Sequence, residues 1–174
     1  LSMFVVTVVD TLAPQSSWLV AITTLLAGGF NLLRMRGWGT LTTLKRPILL
    51  VLHLGYAWVG VGMILRGLST LAPQAIPHSA ALHALSVGSI GTLTLGMMSR
   101  VALGHTGRPL VFHPLITLAT LLITLSTLTR ILAGMLSPSM YLPLLIVSGS
   151  LWTLAFVLFV YRYTRIFFAP RADA

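Results

Sequence analysis

The stretch His83 to Leu110 reads HALSVGSIGTLTLGMMSRVALGHTGRPL, an apolar run with a histidine near each end and arginines at Arg100 and Arg108. Small side chains recur every four residues at Ala84, Gly88, Thr92 and Gly96, and Ser99 extends the series. That period is helical, and it lines up a stripe along which a second helix can approach closely. The stripe is read as a packing surface inside a membrane, because the rest of the chain has the composition of a membrane protein. Of its 174 residues, 56% are apolar and 7% charged, and the mean hydropathy is +0.96. So few polar side chains cannot cover a water-soluble globule of this size.

A spanning helix needs roughly 20 mostly apolar residues to cross a hydrocarbon core of about 30 Å. Windows of that length give five full spans, about Trp18 to Leu33, Pro47 to Leu65, Ala80 to Leu103, Leu110 to Leu132 and Tyr141 to Tyr161. A partial one runs from Leu1 to Leu12. The connections carry the expected breakers: Pro14 to Ser17, Gly37-Trp38-Gly39, Pro73 to Pro77, Gly104 to Pro109, and Ser137-Pro138. Pro170 to Ala174 reads as a frayed polar tail. The expected fold is an all-α polytopic transmembrane helix bundle, with residues 1–174 as a single transmembrane domain. The first apolar run reaches Asp10 too soon to cross alone, so the chain is expected to be the C-terminal part of a larger membrane protein whose upstream segment supplies the rest of that helix.

Basic residues set the orientation. Arg34, Arg36, Lys45 and Arg46 share one loop, Arg100 and Arg108 flank the loop two spans later, and Arg162, Arg165 and Arg171 follow the last span. Only Arg66 and Arg130 lie toward the other side. The positive-inside rule makes the first side cytoplasmic, and with it the C-terminus. The same bias accounts for the net charge of +9 without nucleic acid as a partner. Absence of cysteine excludes disulfides, thiolate metal sites and iron–sulfur clusters, so any metal must use His, Met or oxygen donors.

An imidazole at membrane depth is costly and marks function more often than one in a soluble core. His53, in LLVLHLGYAW, lies about two turns inside its span with no charged neighbour in sequence. It is a candidate metal ligand, against a helix-to-helix hydrogen bond, and Tyr56 shares its face as a supporting donor. His83, near the outer end of its helix, is a second candidate. His78, after Pro77 in an expected loop, and His113, before Pro114, read as interfacial. His105 sits in the turn GHTGRP with Arg108, where two glycines and a cation suit an anionic group such as a haem propionate or a phospholipid head group. The plainer reading is a turn carrying positive-inside arginines. His83 and His105 lie some 33 Å apart along one helix at about 1.5 Å per residue, so they cannot share a metal. Arg130 is expected to reach the outer head groups, and Met63, Met97, Met98 and Met135 to pack.

The run from His83 to Leu110 resembles the signature of the NnrS family, polytopic membrane proteins associated with bacterial responses to nitric oxide. The RMRGW turn at Arg34 to Trp38, the LHLGYAW run at Leu52 to Trp58, and the terminal LWTLAF with YRY resemble family members as well. The resemblance implies haem b and copper as cofactors, about twice as many spans, so that this chain would be the C-terminal half with the N-terminal half missing, nitric oxide as small-molecule ligand, and a place in the bacterial cytoplasmic membrane. His53, His83, Arg100, His105 and Arg108 fall on family-like positions; among the histidines, the metal candidates are His53, His83 and His105. The implied function is nitric oxide binding, tolerance or detoxification. Two other readings stand beside it. One is a transporter or channel half, with His53, Arg100 and Arg130 lining a polar path. The other is a haem-bearing membrane anchor of a redox complex.

Overall fold

The computed structural model describes residues 17–173 together with 5–6 and 8–9, and it is all helical, with no strand among the described residues. Among the described residues, five helices are long and apolar enough to cross a membrane. They are α1 (Ser17–Arg34), α2 (Pro47–Leu71), α3 (His78–His105), α4 (Pro114–Met135) and α5 (Pro138–Phe167). The partial span expected at Leu1 to Leu12 lies outside the described residues except for Val5, Val6, Val8 and Val9, which are helical.

Prolines set three of the helix starts. Pro47, Pro114 and Pro138 occupy first-turn positions, where the missing N–H costs nothing and the fixed φ already suits a helix. This corrects two boundaries. The fourth span begins at Pro114 rather than Leu110, because the residue before a proline is driven out of the helical region, and His113 is extended at φ −67°, ψ 145°. The fifth begins at Pro138 rather than Tyr141. At the other end of α2, Arg66 does not stop the helix, which runs on to Leu71. There Ser69 and Thr70 turn their hydroxyls back onto the Arg66 carbonyl, at 2.8 and 3.0 Å.

α1 and α2 form one antiparallel hairpin, α4 and α5 a second, and α3 lies between them against α2, α4 and α5. Ile48, Leu103, Phe112, Ile116 and Ile166 share one apolar cluster, so the starts of α2 and α4 meet the ends of α3 and α5 at one end of the bundle. That end collects the loop arginines and is called the basic end below. A smaller cluster of Trp58, Ala80, Ala84 and Ile131 fills the opposite half.

The small-residue stripe does what its spacing implies. Ala84, Gly88, Thr92, Gly96 and Ser99 are all buried. A Cβ added at Gly88 would lie 2.7 Å from the Trp58 ring, and one at Gly96 2.8 Å from Val51, so α3 touches α2 along this line. Periodicity did not foresee that residues Ala84–Ile90 wind as a π-helix directly after His83. Such wide turns inside an α-helix are uncommon and cluster at functional positions. Across the other hairpin, Ser126 and Ser148 exchange hydroxyl-to-carbonyl hydrogen bonds of 2.8 and 2.9 Å, joining α4 to α5.

Candidate functional site

His53 lies about 9 Å along α2 from Pro47, by the helical rise, and it is the best-developed of the candidates. Its Nδ1 is buried without a hydrogen-bond partner. The reason is local. Gly39 adopts φ +62°, which lets the chain between α1 and α2 fold as two short 3-10 turns, Met35–Trp38 and Thr40–Lys45. The first turn lays the Trp38 indole over α2, 5.6 Å from the His53 ring and 4.6 Å from the Tyr56 ring, centre to centre. Arg34 covers the indole in turn, its guanidinium carbon 5.8 Å from the ring. Tyr56 donates its hydroxyl proton to Asn31 Oδ1 on α1, while Asn31 Nδ2 donates to the Ala27 carbonyl at 2.7 Å. The result is an imidazole tilted against the Trp38 indole, which itself lies between His53 and Tyr56, with one imidazole nitrogen shut off from water and unsatisfied.

Sequence reasoning had placed Tyr56 beside His53 but had missed Trp38 and Asn31. A signal existed for both. Asn31 is the chain's single asparagine, an amide inside an apolar span, and Trp38 lies in the RMRGW turn already noted as family-like. Their partnership with His53 crosses between two helices and a turn, which no periodicity reports.

The other candidates are not gathered around His53. His83 is half-buried in α3, just ahead of the π-helical turn, and its charged neighbour is Arg130. Arg130 buries Nη1 without a partner, in a cleft shared with Ser126, Ser148 and Trp152. The expectation that it simply reaches the head groups therefore misses this buried nitrogen. His105 ends α3 and is exposed. His78, expected in a loop, is the first residue of α3, while His113 accepts a 3.3 Å hydrogen bond from the Leu115 amide and so caps α4. Of the four methionines expected to pack, Met63 is in the core and Met97, Met98 and Met135 face outward.

Arg108 is engaged in holding the chain together. It donates to the Thr106 carbonyl at 3.2 Å and to the Pro170 carbonyl at 3.3 Å. The Ala172 amide adds a 3.0 Å bond to the Thr106 oxygen. The C-terminal segment expected to fray is thus folded over the 104–109 turn. Arg100 has a different setting, in the wall of a cleft at the basic end.

These positions decide what donor sets exist. Among the described residues no group of three or more His, Cys, Asp or Glu side chains comes together. A lone imidazole offers one donor, the number that haem iron takes from histidine in many haem proteins. It does not fit a copper centre, which needs several donors at once.

No curated protein and no solved structure matches the chain. The model of one family, described as NnrS protein, matches residues 1–171. That span takes in α1 to α5, the Trp38–His53–Tyr56 cluster and the stripe on α3, and this chain belongs to the NnrS family.

Proposed function

We propose that this chain is a haem-bearing membrane protein of the nitric oxide response, with His53 as the imidazole that holds the iron. The observation that carries the reading is His53 Nδ1, a buried nitrogen with no hydrogen-bond partner. Leaving a polar atom so is costly in a folded protein, and a metal ligand is one of the few roles that repays it. Bound haem would supply an iron able to take a small diatomic ligand.

The residues around His53 then have defined tasks. Trp38 lies against the imidazole and limits its rotation, and Tyr56, which packs on Trp38 and bonds to Asn31, ties that ring cluster to α1. Val51 and Gly55, both buried on α2, keep the surroundings dry. Nitric oxide is small and uncharged, so it reaches such a place through lipid without a polar channel. His83, His105, Arg100 and Arg108 remain proposed site positions by family likeness, with Arg108 already committed to the C-terminal segment. Copper, the second metal implied by that likeness, is assigned no step. In this reading the chain is one membrane domain of the bacterial cytoplasmic membrane, and its basic end and C-terminus face the cytoplasm.

The test is the optical spectrum of the full chain purified in detergent after expression with ample haem supply. A reduced b-type spectrum whose Soret band moves on addition of nitric oxide is expected, and His53→Ala is expected to lose the band while His78→Ala keeps it. A haem-free protein sinks the reading and favours the transporter alternative. A haem band indifferent to nitric oxide favours an electron-transfer anchor.

A further inference from the structure

At the basic end, Lys45, Arg46 and Arg100 converge on a cleft of about 430 Å³ whose remaining lining is apolar, with Ile48, Leu110 and Phe112 among its walls. The three cations come from different places. Lys45 ends the second 3-10 turn, Arg46 immediately precedes α2, and Arg100 lies five residues before the end of α3, some 7.5 Å down its axis by the helical rise. Among the described residues that line the cleft, none is acidic and none is histidine. The chain's two acids are Asp10, outside the described residues, and Asp173, which pairs with Arg171 at 2.9 Å.

A positive-inside bias explains cations at this end. It does not explain three of them closing on one cavity with an apolar wall. The depth is informative as well, since the cleft lies where α2 has just begun and the non-helical segment at Leu110 to Phe112 has yet to enter α4. At the boundary of the hydrocarbon, phosphate sits above and acyl chain below, and basic pockets between helix ends suit anionic head groups.

We propose that this cleft seats the head group of an anionic phospholipid, with preference for one carrying two phosphates. Lys45 and Arg46 meet the phosphates from the turn, Arg100 meets them from the α3 side, and Ile48, Leu110 and Phe112 take the first methylenes of an acyl chain. Selectivity comes from charge, because a zwitterionic lipid brings a cation of its own into a place that already holds three. The proposal is independent of haem at His53.

Native mass spectrometry of the full chain in mild detergent, titrated with tetraoleoyl cardiolipin and with dioleoyl phosphatidylcholine, gives the two affinities directly. Cardiolipin is expected to bind at least 10-fold more tightly. The triple variant Lys45→Gln, Arg46→Gln, Arg100→Gln should weaken cardiolipin by about 100-fold, the scale set by three basic residues near an anionic surface, and leave phosphatidylcholine unchanged. A control removing the same charge elsewhere at this end, Arg36→Gln, Arg165→Gln, Arg171→Gln, should shift cardiolipin less than 3-fold. Equal losses in both triple variants overturn the proposal in favour of diffuse attraction, and so does equal affinity for the two lipids. Loss of a haem band in the first triple variant with lipid binding intact also overturns it. The single variant Arg46→Gln, expected to weaken cardiolipin by about 5-fold, keeps the test open if the triple variant fails to fold.

Discussion

Replacing Gly28 by alanine asks whether α1 and α2 meet backbone to backbone beside the His53 cluster. An added Cβ at Gly28 would lie 2.7 Å from the Gly60 carbonyl oxygen, 2.7 Å from Ile64 Cγ1 and 3.0 Å from the Ile64 nitrogen. Two of those atoms are backbone and cannot swing aside, so the helices must separate. Gly29, the next residue, has nothing within 4 Å of the same added carbon. Both substitutions gain the same helix propensity, about 1 kcal/mol, so their difference isolates overpacking, about 1–3 kcal/mol. At about 2–4 °C per kcal/mol for a chain of this length, Gly28→Ala should melt about 2–12 °C below Gly29→Ala. The measurement is thermal unfolding in detergent followed by tryptophan fluorescence. Asn31 lies one turn from Gly28 and Tyr56 one turn from Gly60, so the same separation should loosen the Tyr56–Asn31 bond and red-shift the Trp38 contribution. Equal melting temperatures for the two variants would refute close approach at Gly28 and Gly60, and with it the stated support of the site.

Two further outcomes follow from other contacts. Ser126→Ala and Ser148→Ala each remove one of a reciprocal pair of hydrogen bonds, so a double-mutant cycle by denaturant unfolding should give a coupling of at least about 0.6 kcal/mol, the average for hydrogen bonds between membrane helices, and no more than about 1.7; additive losses would show that α4 and α5 are not joined there. At the surface, the Arg171 guanidinium holds the Asp173 carboxyl below the ordinary aspartate range. A carboxyl depressed in this way adds its contribution above the ordinary aspartate value and loses it as pH falls through the lower folded one. A carbon-13 carboxyl titration should therefore show Asp173 returning toward the ordinary value in Arg171→Ala, and an unchanged titration would mean the pair does not persist in solution.

Much of the site was legible in part. His53 stood out because an imidazole in an apolar span is expensive wherever it points, and Tyr56 followed from the three-residue spacing that puts both on one helix face. Trp38 and Asn31 were not legible as partners, because their contact depends on a positive-φ turn at Gly39 and on how closely α1 approaches α2. Arg108 illustrates the converse. Its type and its place in a glycine turn suggested an anion ligand, whereas the fold spends its donors on backbone carbonyls of Thr106 and Pro170.

The amino-acid sequence by itself determined that the chain is helical, that five segments are long enough to cross a bilayer, and that the cations gather at alternate connections. Those properties follow from composition and period, which act residue by residue and need no partner. It also determined the packing line on α3, since side chains without bulk admit a neighbouring helix whichever helix that is. Only the tertiary structure decided which helix it is, that α2 rather than α1 lies against Gly88 and Gly96, that Trp38 closes over His53, and that Lys45, Arg46 and Arg100 face one cleft. Each of these joins residues far apart in the chain, through contacts fixed by how whole helices fit together, and that fit is a property of surfaces rather than of any one segment.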